Sequence, residues 1–308
     1  MGYHVPVMVQ EVVAGLVADP DGTYMDATAG GGGHSLALLQ ALGEQGRLIA
    51  VDRDWEAVEA ARKKLAVDVR AAVWQGCFAD LGELVDRAGI EPLSGVLFDL
   101  GVSSHQIDAP GRGFSYQEDG PLDMRMDPAA GQTAAELVAA ASERELAELI
   151  KLYGEERQAR RIARSICHHR NLEPLKTTQA LRQAVAETRP QILHKTLARV
   201  FQALRIAVND ELGQVLAGLV AVETMLKPGG RLAIIAYHSL EDRLVKQHLA
   251  GLERGCICPP RLPVCVCGRQ PSFVKVGRKF RRASGKEVQK NSRARSAVLR
   301  IYEKIEVD

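Results

Sequence analysis

The sequence predicts an α/β fold, a mostly parallel, helix-covered sheet interrupted by an inserted all-helical domain. Three observations carry this. Short apolar strands alternate with amphipathic helices as far as residue 100, a run of helical periods then follows without a strand signal, and the strand and helix rhythm resumes beyond residue 209. The expected division is a discontinuous sheet domain over 1–108 and 197–308 and a helical insert over 109–196.

Apolar positions from Val5 to Val17 recur at helical spacing and stop at the turn Asp19-Pro20-Asp21-Gly22. Thr23 to Ala27 reads as the first strand, running into Gly30-Gly31-Gly32-Gly33 and then a helix over Ser35 to Leu42. The glycines leave no Cβ between the backbone and a ligand, and the helix N-terminus offers unpaired N–H groups. Arg47 to Asp52 is a second strand, and Asp52 stands at the spacing from Gly32 that suits a carboxylate on a ribose. A helix over Arg53 to Leu65, strands over Ala71 to Gln75 and Gly95 to Leu100, and a short helix between them complete a parallel pattern. Its carboxyl edge presents Asp26, Asp52, Phe78 and Asp99.

A long polar loop follows Asp99 and contains Gly101 to Asp108, Arg112 to Tyr116 and Gly120 to Asp127. Helices are expected over Thr133 to Ala140, Ser142 to Tyr153, Glu155 to His169, Thr178 to Glu187 and Lys195 to Val208, the second opening on a capping box from Ser142 to Glu145. Arg157, Arg160, Arg161, Arg164 and His168 fall at three- and four-residue steps, a cationic stripe suited to phosphates or to plain solvation. Asn209 to Leu226 reads as a helix with Leu212, Val215, Leu216, Leu219, Val222 and Leu226 on one side. Arg231 to Tyr237 reads as a strand, with His238-Ser239-Leu240-Glu241-Asp242 at its carboxyl end as a second functional loop or as the ordinary cap and first turn of the next helix. The last strands are expected over Ser272 to Val276 and Ala297 to Tyr302, separated by a basic loop.

Composition narrows the class without fixing the partner. With 308 residues, 46% hydrophobic and 25% charged, the chain is typical of soluble globular proteins, and no window reaches a membrane span. The N-terminus lacks the basic-then-apolar layout of a signal peptide, so a cytoplasmic location is expected. The net charge of +2 hides a basic tail with Arg278, Lys279, Arg281 and Arg282 at its centre, a patch suited to phosphates or a plain solvated surface strand and loop. Cys256-Ile257-Cys258 and Cys265-Val266-Cys267, around Pro259, Pro260 and Pro263, form a C-x-C pair of pairs. Four thiolates there suit a metal, although the spacing is not the usual C-x-x-C knuckle and a metal-free thiol loop is the plain alternative.

Two cofactor classes share this front end. A dinucleotide fold wants G-x-G-x-x-G, and Ser35 stands where its third glycine would be, whereas Asp26-x-Thr28-x-Gly30-x-Gly32 has the acid before G-x-G of a Rossmann-like class I methyltransferase. The pattern favours S-adenosylmethionine, with Asp52 on the ribose, Phe78 on the adenine and the Asp99 loop facing the sulfonium.

Further motifs carry a resemblance running nearly end to end. Asp26 to His34, Val51-Asp52-Arg53-Asp54, Phe98 to Ser104, Arg112-Gly113-Phe114-Ser115, Gly120 to Met126, Tyr153 to Arg157, His238 to Arg243 and Arg293-Ala294-Arg295-Ser296 together resemble the RsmH (MraW) family. The resemblance implies an S-adenosylmethionine-dependent methyltransferase of 16S rRNA, acting on the N4 amino group of a cytidine in the decoding centre. It places Gly32, Gly33, His34, Asp52, Phe78, Asp99 and Gln106 at the cofactor. His105 stands where the family commonly has proline, and the four-cysteine loop is not a general mark of the family.

Methyl transfer from a sulfonium needs no metal but does need an acceptor for the protons of a cytosine amino group. Asp99, with the Leu100 and Gly101 carbonyls, is the first candidate and Ser103 and His238 are helpers, while Phe114, Tyr116 or Tyr237 could stack on a splayed base or, as is commoner for such aromatics, serve as plain packing. Arg157, Arg161 and Arg164 join the tail as candidate RNA contacts. The expected partner is 16S rRNA within the small ribosomal subunit, and monomer or dimer is open. A non-catalytic S-adenosylmethionine-binding RNA assembly factor is the rival reading, with a nicotinamide oxidoreductase behind it.

Overall fold

The computed structural model describes residues 6–90, 92–259, 262 and 264–306, so the expectations on Val5, Pro260 and Pro263 lie outside the described residues. In chain order the elements begin with α1 (Val9–Leu16), β1 (Thr23–Asp26), α2 (Gly33–Ala41), β2 (Arg47–Asp52), α3 (Trp55–Leu65), β3 (Ala71–Gln75), α4 (Leu81–Arg87) and β4 (Leu93–Asp99). Next come α5 (Ser104–Asp108), α6 (Ala134–Ala140), α7 (Glu143–Gly154), α8 (Ala159–Leu172), α9 (Thr178–Ala186) and α10 (Leu193–Asn209). The chain closes with α11 (Glu211–Met225), β5 (Leu226–Ala236), α12 (Ser239–Arg254), β6 (Phe273–Lys275), β7 (Arg281–Arg282), α13 (Gly285–Lys290) and β8 (Val298–Lys304).

Two compact units result, Met1–Gly101 with Leu212–Asp308, and Val102–Glu211. The second is wider at both ends than 109–196; at its C-terminal end α10, which packs on α7, runs on until Asp210 ends it in a left-handed conformation.

The first unit is one sheet in the order β3-β2-β1-β4-β5-β8-β6, with β7 on β8. β1 to β5 pair in parallel, so their carboxyl ends share an edge, and β8 turns back antiparallel to β5. Side-chain alternation divides each strand between two cores. Met25, Ile49, Val51, Val96, Phe98 and Ile234 pack with α4, α11 and α12 residues such as Leu81, Leu219 and Val245. Tyr24, Leu48, Ala50, Leu97 and Ile235 pack with Leu16, Leu38 and Ala61 of α1 to α3. β4 is buried along its length until Asp99, which explains its continuous apolar run.

The second unit is helical around Leu146, Ile150, Ile162, Ile166, Leu181, Val200 and Phe201. The Ser142 box forms as expected, with Glu145 Oε2 accepting from Ser142 N at 2.7 Å and Ser142 Oγ from Glu145 N at 3.2 Å.

Several expectations need correction. α8 begins at Ala159, so Arg157 is off the helix that carries Arg160, Arg161 and Arg164. Glu155 turns left-handed at φ 49° to end α7, and Glu156 is buried, accepting from Gln158 N and from Arg199 Nη1 at 3.0 Å. Leu216 is exposed on α11, one residue from buried Val215. The basic stretch expected as a loop holds β7 and α13, because Arg281 and Arg282 pair with Leu299 and Val298 and Ser284 caps the helix.

Candidate active site

The carboxyl edge of β1, β2, β4 and β5 gathers the polar groups of the first unit. Asp26 ends β1 fully buried, with Ser35 Oγ donating to Oδ2 at 2.6 Å and Thr28 N and Oγ1 donating to Oδ1 at 3.1 and 3.3 Å. Burial nonetheless pushes its pKa up, against the pull of His34 and these donors. Thr28 Oγ1 also accepts from Asp99 N at 2.7 Å, which locks the end of β4 to the turn after β1. Asp52 reaches across from β2, and its Oδ2 accepts from Gly30 N at 2.8 Å while Oδ1 accepts from Asp54 N at 2.9 Å.

The glycines differ in what they do. Gly32 sits at φ 71° and a Cβ there would approach Ala61 Cα at 3.3 Å. At Gly33 a Cβ would lie 2.9 Å from Pro6 Cγ, so the chain's own N-terminal segment demands that glycine. Gly30, at φ 50°, would meet nothing nearer than Thr28 O at 3.9 Å, which makes it the open side of the turn.

Asp99 is the hub. Its Oδ1 accepts from Tyr237 Oη at 2.8 Å and its Oδ2 lies 3.3 Å from His34 Nε2, with the Asp99 side chain 11% exposed. Burial pulls the His34 imidazole down, but Asp99, Asp26 and Glu287 outweigh it and the net shift is upward. Burial, then the Asp99 charge, pushes the Tyr237 phenol far up, so it stays a donor. Glu241, buried in the first turn of α12, accepts from Tyr237 N at 2.8 Å and His238 N at 3.2 Å. His238 answers with Nδ1 accepting from Glu241 N at 3.3 Å, and its Nε2 lies 3.1 Å from Glu241 Oε1.

Gly32, Gly33, His34, Asp52 and Asp99 are therefore brought together in one unit. Phe78, in the turn after β3, stacks on Phe98 with centroids 4.8 Å apart, so one ring face belongs to the core. Ser103 and Gln106 lie in the second unit, joined in the reciprocal cap of α5 with Gln106 buried. His238 is bound into the α12 cap. Tyr237, a candidate for stacking or for packing, is anchored by its hydroxyl to Asp99. Phe114 is buried in the second core and Tyr116 meets Phe201 edge-on at 5.5 Å, so packing accounts for both. Thr28 and Ser35 were not singled out for these roles, although D-x-T was a signal available for the first, and the cap read at Ser239 sits one residue earlier, on His238, with Glu241 closing it.

The sequence pattern described as the MraW methylase family matches residues 1–305. The chain belongs to the MraW methylase family. A relative named ribosomal RNA small subunit methyltransferase H, from Symbiobacterium thermophilum, is 47% identical over 99% of this chain and 97% of its own length. One of the same name from Trichlorobacter lovleyi is 47% identical over 98% of each chain. An rRNA methylase structure from Streptococcus thermophilus is 14% identical, covers 97% of this chain and 94% of its own, and has a TM-score of 0.42.

As a member of the MraW methylase family, the chain is a methyltransferase that depends on S-adenosylmethionine. The residues present fit that group. Asp52 uses one backbone donor on each oxygen and keeps acceptor capacity for hydroxyls, the Gly30 face is open, and His34 Nδ1 is buried without a hydrogen-bond partner among the described residues. Among the described residues no helix is long and apolar enough to cross a membrane.

Proposed function

We propose that this chain methylates the N4 amino group of a cytidine in the decoding centre of 16S rRNA, within the small ribosomal subunit. The observation that carries the reading is the Asp99 carboxylate at the end of β4, held between Tyr237 and His34 beside the glycine turn. The names of the relatives support the RNA, and the resemblance of the motifs supports the base.

Bound S-adenosylmethionine would supply an electrophilic methyl carbon on its sulfonium and leave as the neutral thioether, its carbon–sulfur bond breaking as the carbon–nitrogen bond forms. Asp52 would hold the ribose hydroxyls, and the open face at Gly30 would leave room for the nucleoside. Cytosine N4 is a weak nucleophile because its lone pair is delocalised into the ring. Asp99 accepts a hydrogen bond from N4–H, which localises that pair, and takes the proton as the carbon–nitrogen bond forms. Tyr237 fixes the Asp99 rotamer. Glu241 positions Tyr237 in turn through its backbone N–H, so the α12 cap acts on the chemistry at one remove. The exposed arginines of α8 and the tail Arg278, Lys279, Arg281 and Arg282 supply cations for phosphates.

The test incubates the purified protein with unmodified small subunits, and separately with naked 16S rRNA, and maps the methyl group by mass spectrometry. A single N4-methylcytidine in the decoding centre is expected, and Asp99→Asn should slow its formation at least about a hundredfold. A methyl group on another atom would overturn the target. Cofactor binding without any transfer would return the chain to the assembly-factor reading.

A further inference from the structure

One cluster in the first unit has no part in that reaction. Between α12 and β6 stand Cys256, Cys258, Cys265 and Cys267, all free thiols, whose Sγ atoms lie within 4.8 Å of one another. Cys256 to Cys265 and Cys265 to Cys267 are 3.5 Å apart, Cys256 to Cys267 3.8 Å and Cys258 to Cys265 3.9 Å. A disulfide requires about 2.05 Å, so these sulfurs are not paired. Four thiolates around one tetrahedral zinc, at about 2.3 Å from the metal, stand about 3.8 Å apart.

The surroundings explain why such an ion is needed. Ile257, Val264 and Val266 are 63%, 70% and 78% exposed, Cys265 is exposed and the other three cysteines are half-buried, so among the described residues the loop builds no core of its own. Both ends are nevertheless held together. Ser272 N donates to Leu252 O at 3.0 Å, and a Cβ at Gly255 would lie 2.3 Å from the Gln270 backbone. Val266 N points at Cys258 Sγ from 3.4 Å, a donor that favours a thiolate over a thiol. Thiolate donors select a soft or borderline ion, and sulfurs this close share one metal, whereas a cluster spreads them over several irons.

We propose that Cys256, Cys258, Cys265 and Cys267 bind one structural zinc ion that folds the segment between α12 and β6. Elemental analysis of the full chain, purified under reducing conditions without chelator, should find about one zinc per chain. Cobalt exchanged into the protein should show the visible bands and near-ultraviolet charge transfer of tetrahedral thiolate coordination. Cys258→Ser and Cys265→Ser should each reduce bound metal at least about tenfold. Chelation should speed protease cleavage between residues 256 and 267 about tenfold while the circular dichroism of the rest persists. Iron in place of zinc, conversion of all four thiols to disulfides, or four free thiols with no metal would each overturn the proposal, and none of these readings depends on a variant folding.

Discussion

Asp52 holds a carboxylate in a place that resists its charge. Burial pushes its pKa up to about 6, the N–H groups of Asp54 and Gly30 pull it back, and the charges of Asp54 and Asp26 push it up again. A carboxyl raised above its unfolded value holds its proton more tightly in the folded chain. Its stabilising effect is full below 3.8 and is lost as pH rises through about 6. Cofactor hydroxyls reverse the preference, because they donate best to the ionised form. S-adenosylmethionine affinity should therefore weaken as pH falls through about 6, by up to tenfold per unit, and calorimetric titration at three pH values would show it. Asp52→Asn should bind weakly with no such trend; an unchanged trend in that variant would move the titration to another group. The acid was legible in the sequence from its place at a strand end, but its shift was not. The shift depends on Gly30 and Asp54 enclosing the carboxylate, an arrangement across the turn that no local pattern encodes.

At the scale of the element, the turn from β1 into α2 separates packing from binding. Gly33→Ala drives a methyl into the Pro6 ring and should cost about 1–3 kcal/mol in chemical denaturation. Gly30→Ala carries only the strain of its left-handed backbone, about 1–2 kcal/mol, but fills the open face, so cofactor affinity should fall at least about tenfold. Equal losses of stability and affinity in both variants would dissolve the distinction. The regular elements were readable where one period dominates. β2 and β3 run over the expected residues, and the α7 cap sits on Ser142. The reading failed where a tertiary contact overrides the period. Glu156 looks like a helix residue until Arg199, far along the chain, draws it into the interior, and two arginines look like solvated loop until β8 offers them an edge.

Over the whole molecule, the basic tail is anchored rather than loose. Arg300, buried, pairs with Asp242 at 2.8 and 3.1 Å, donates to Lys279 O at 3.0 Å and lies 5.7 Å from the Phe280 ring, which Arg282 also approaches at 5.8 Å. Its cations are thus presented from a fixed backbone. Replacing Arg278, Lys279, Arg281 and Arg282 together should weaken RNA binding and flatten its salt dependence by about 0.7–0.9 in log–log slope for each phosphate no longer neutralised. Unchanged slopes would leave the tail a solvated surface. The discontinuous organisation was legible because helical periods displace strand signals between β4 and β5, but its limits were not, since α10 reads alike in either unit. That interruption also bears on how the chain is made. β4 exposes its pairing edge when Asp99 leaves the ribosome, and β5 arrives roughly 130 residues later, a wait of about 7–26 s at ~5–20 residues per second. β8, which closes β5, comes last of all. The nascent chain therefore carries a half-built apolar sheet throughout the synthesis of the helical unit, and a ribosome stalled inside that unit leaves a substrate for chaperones and proteases.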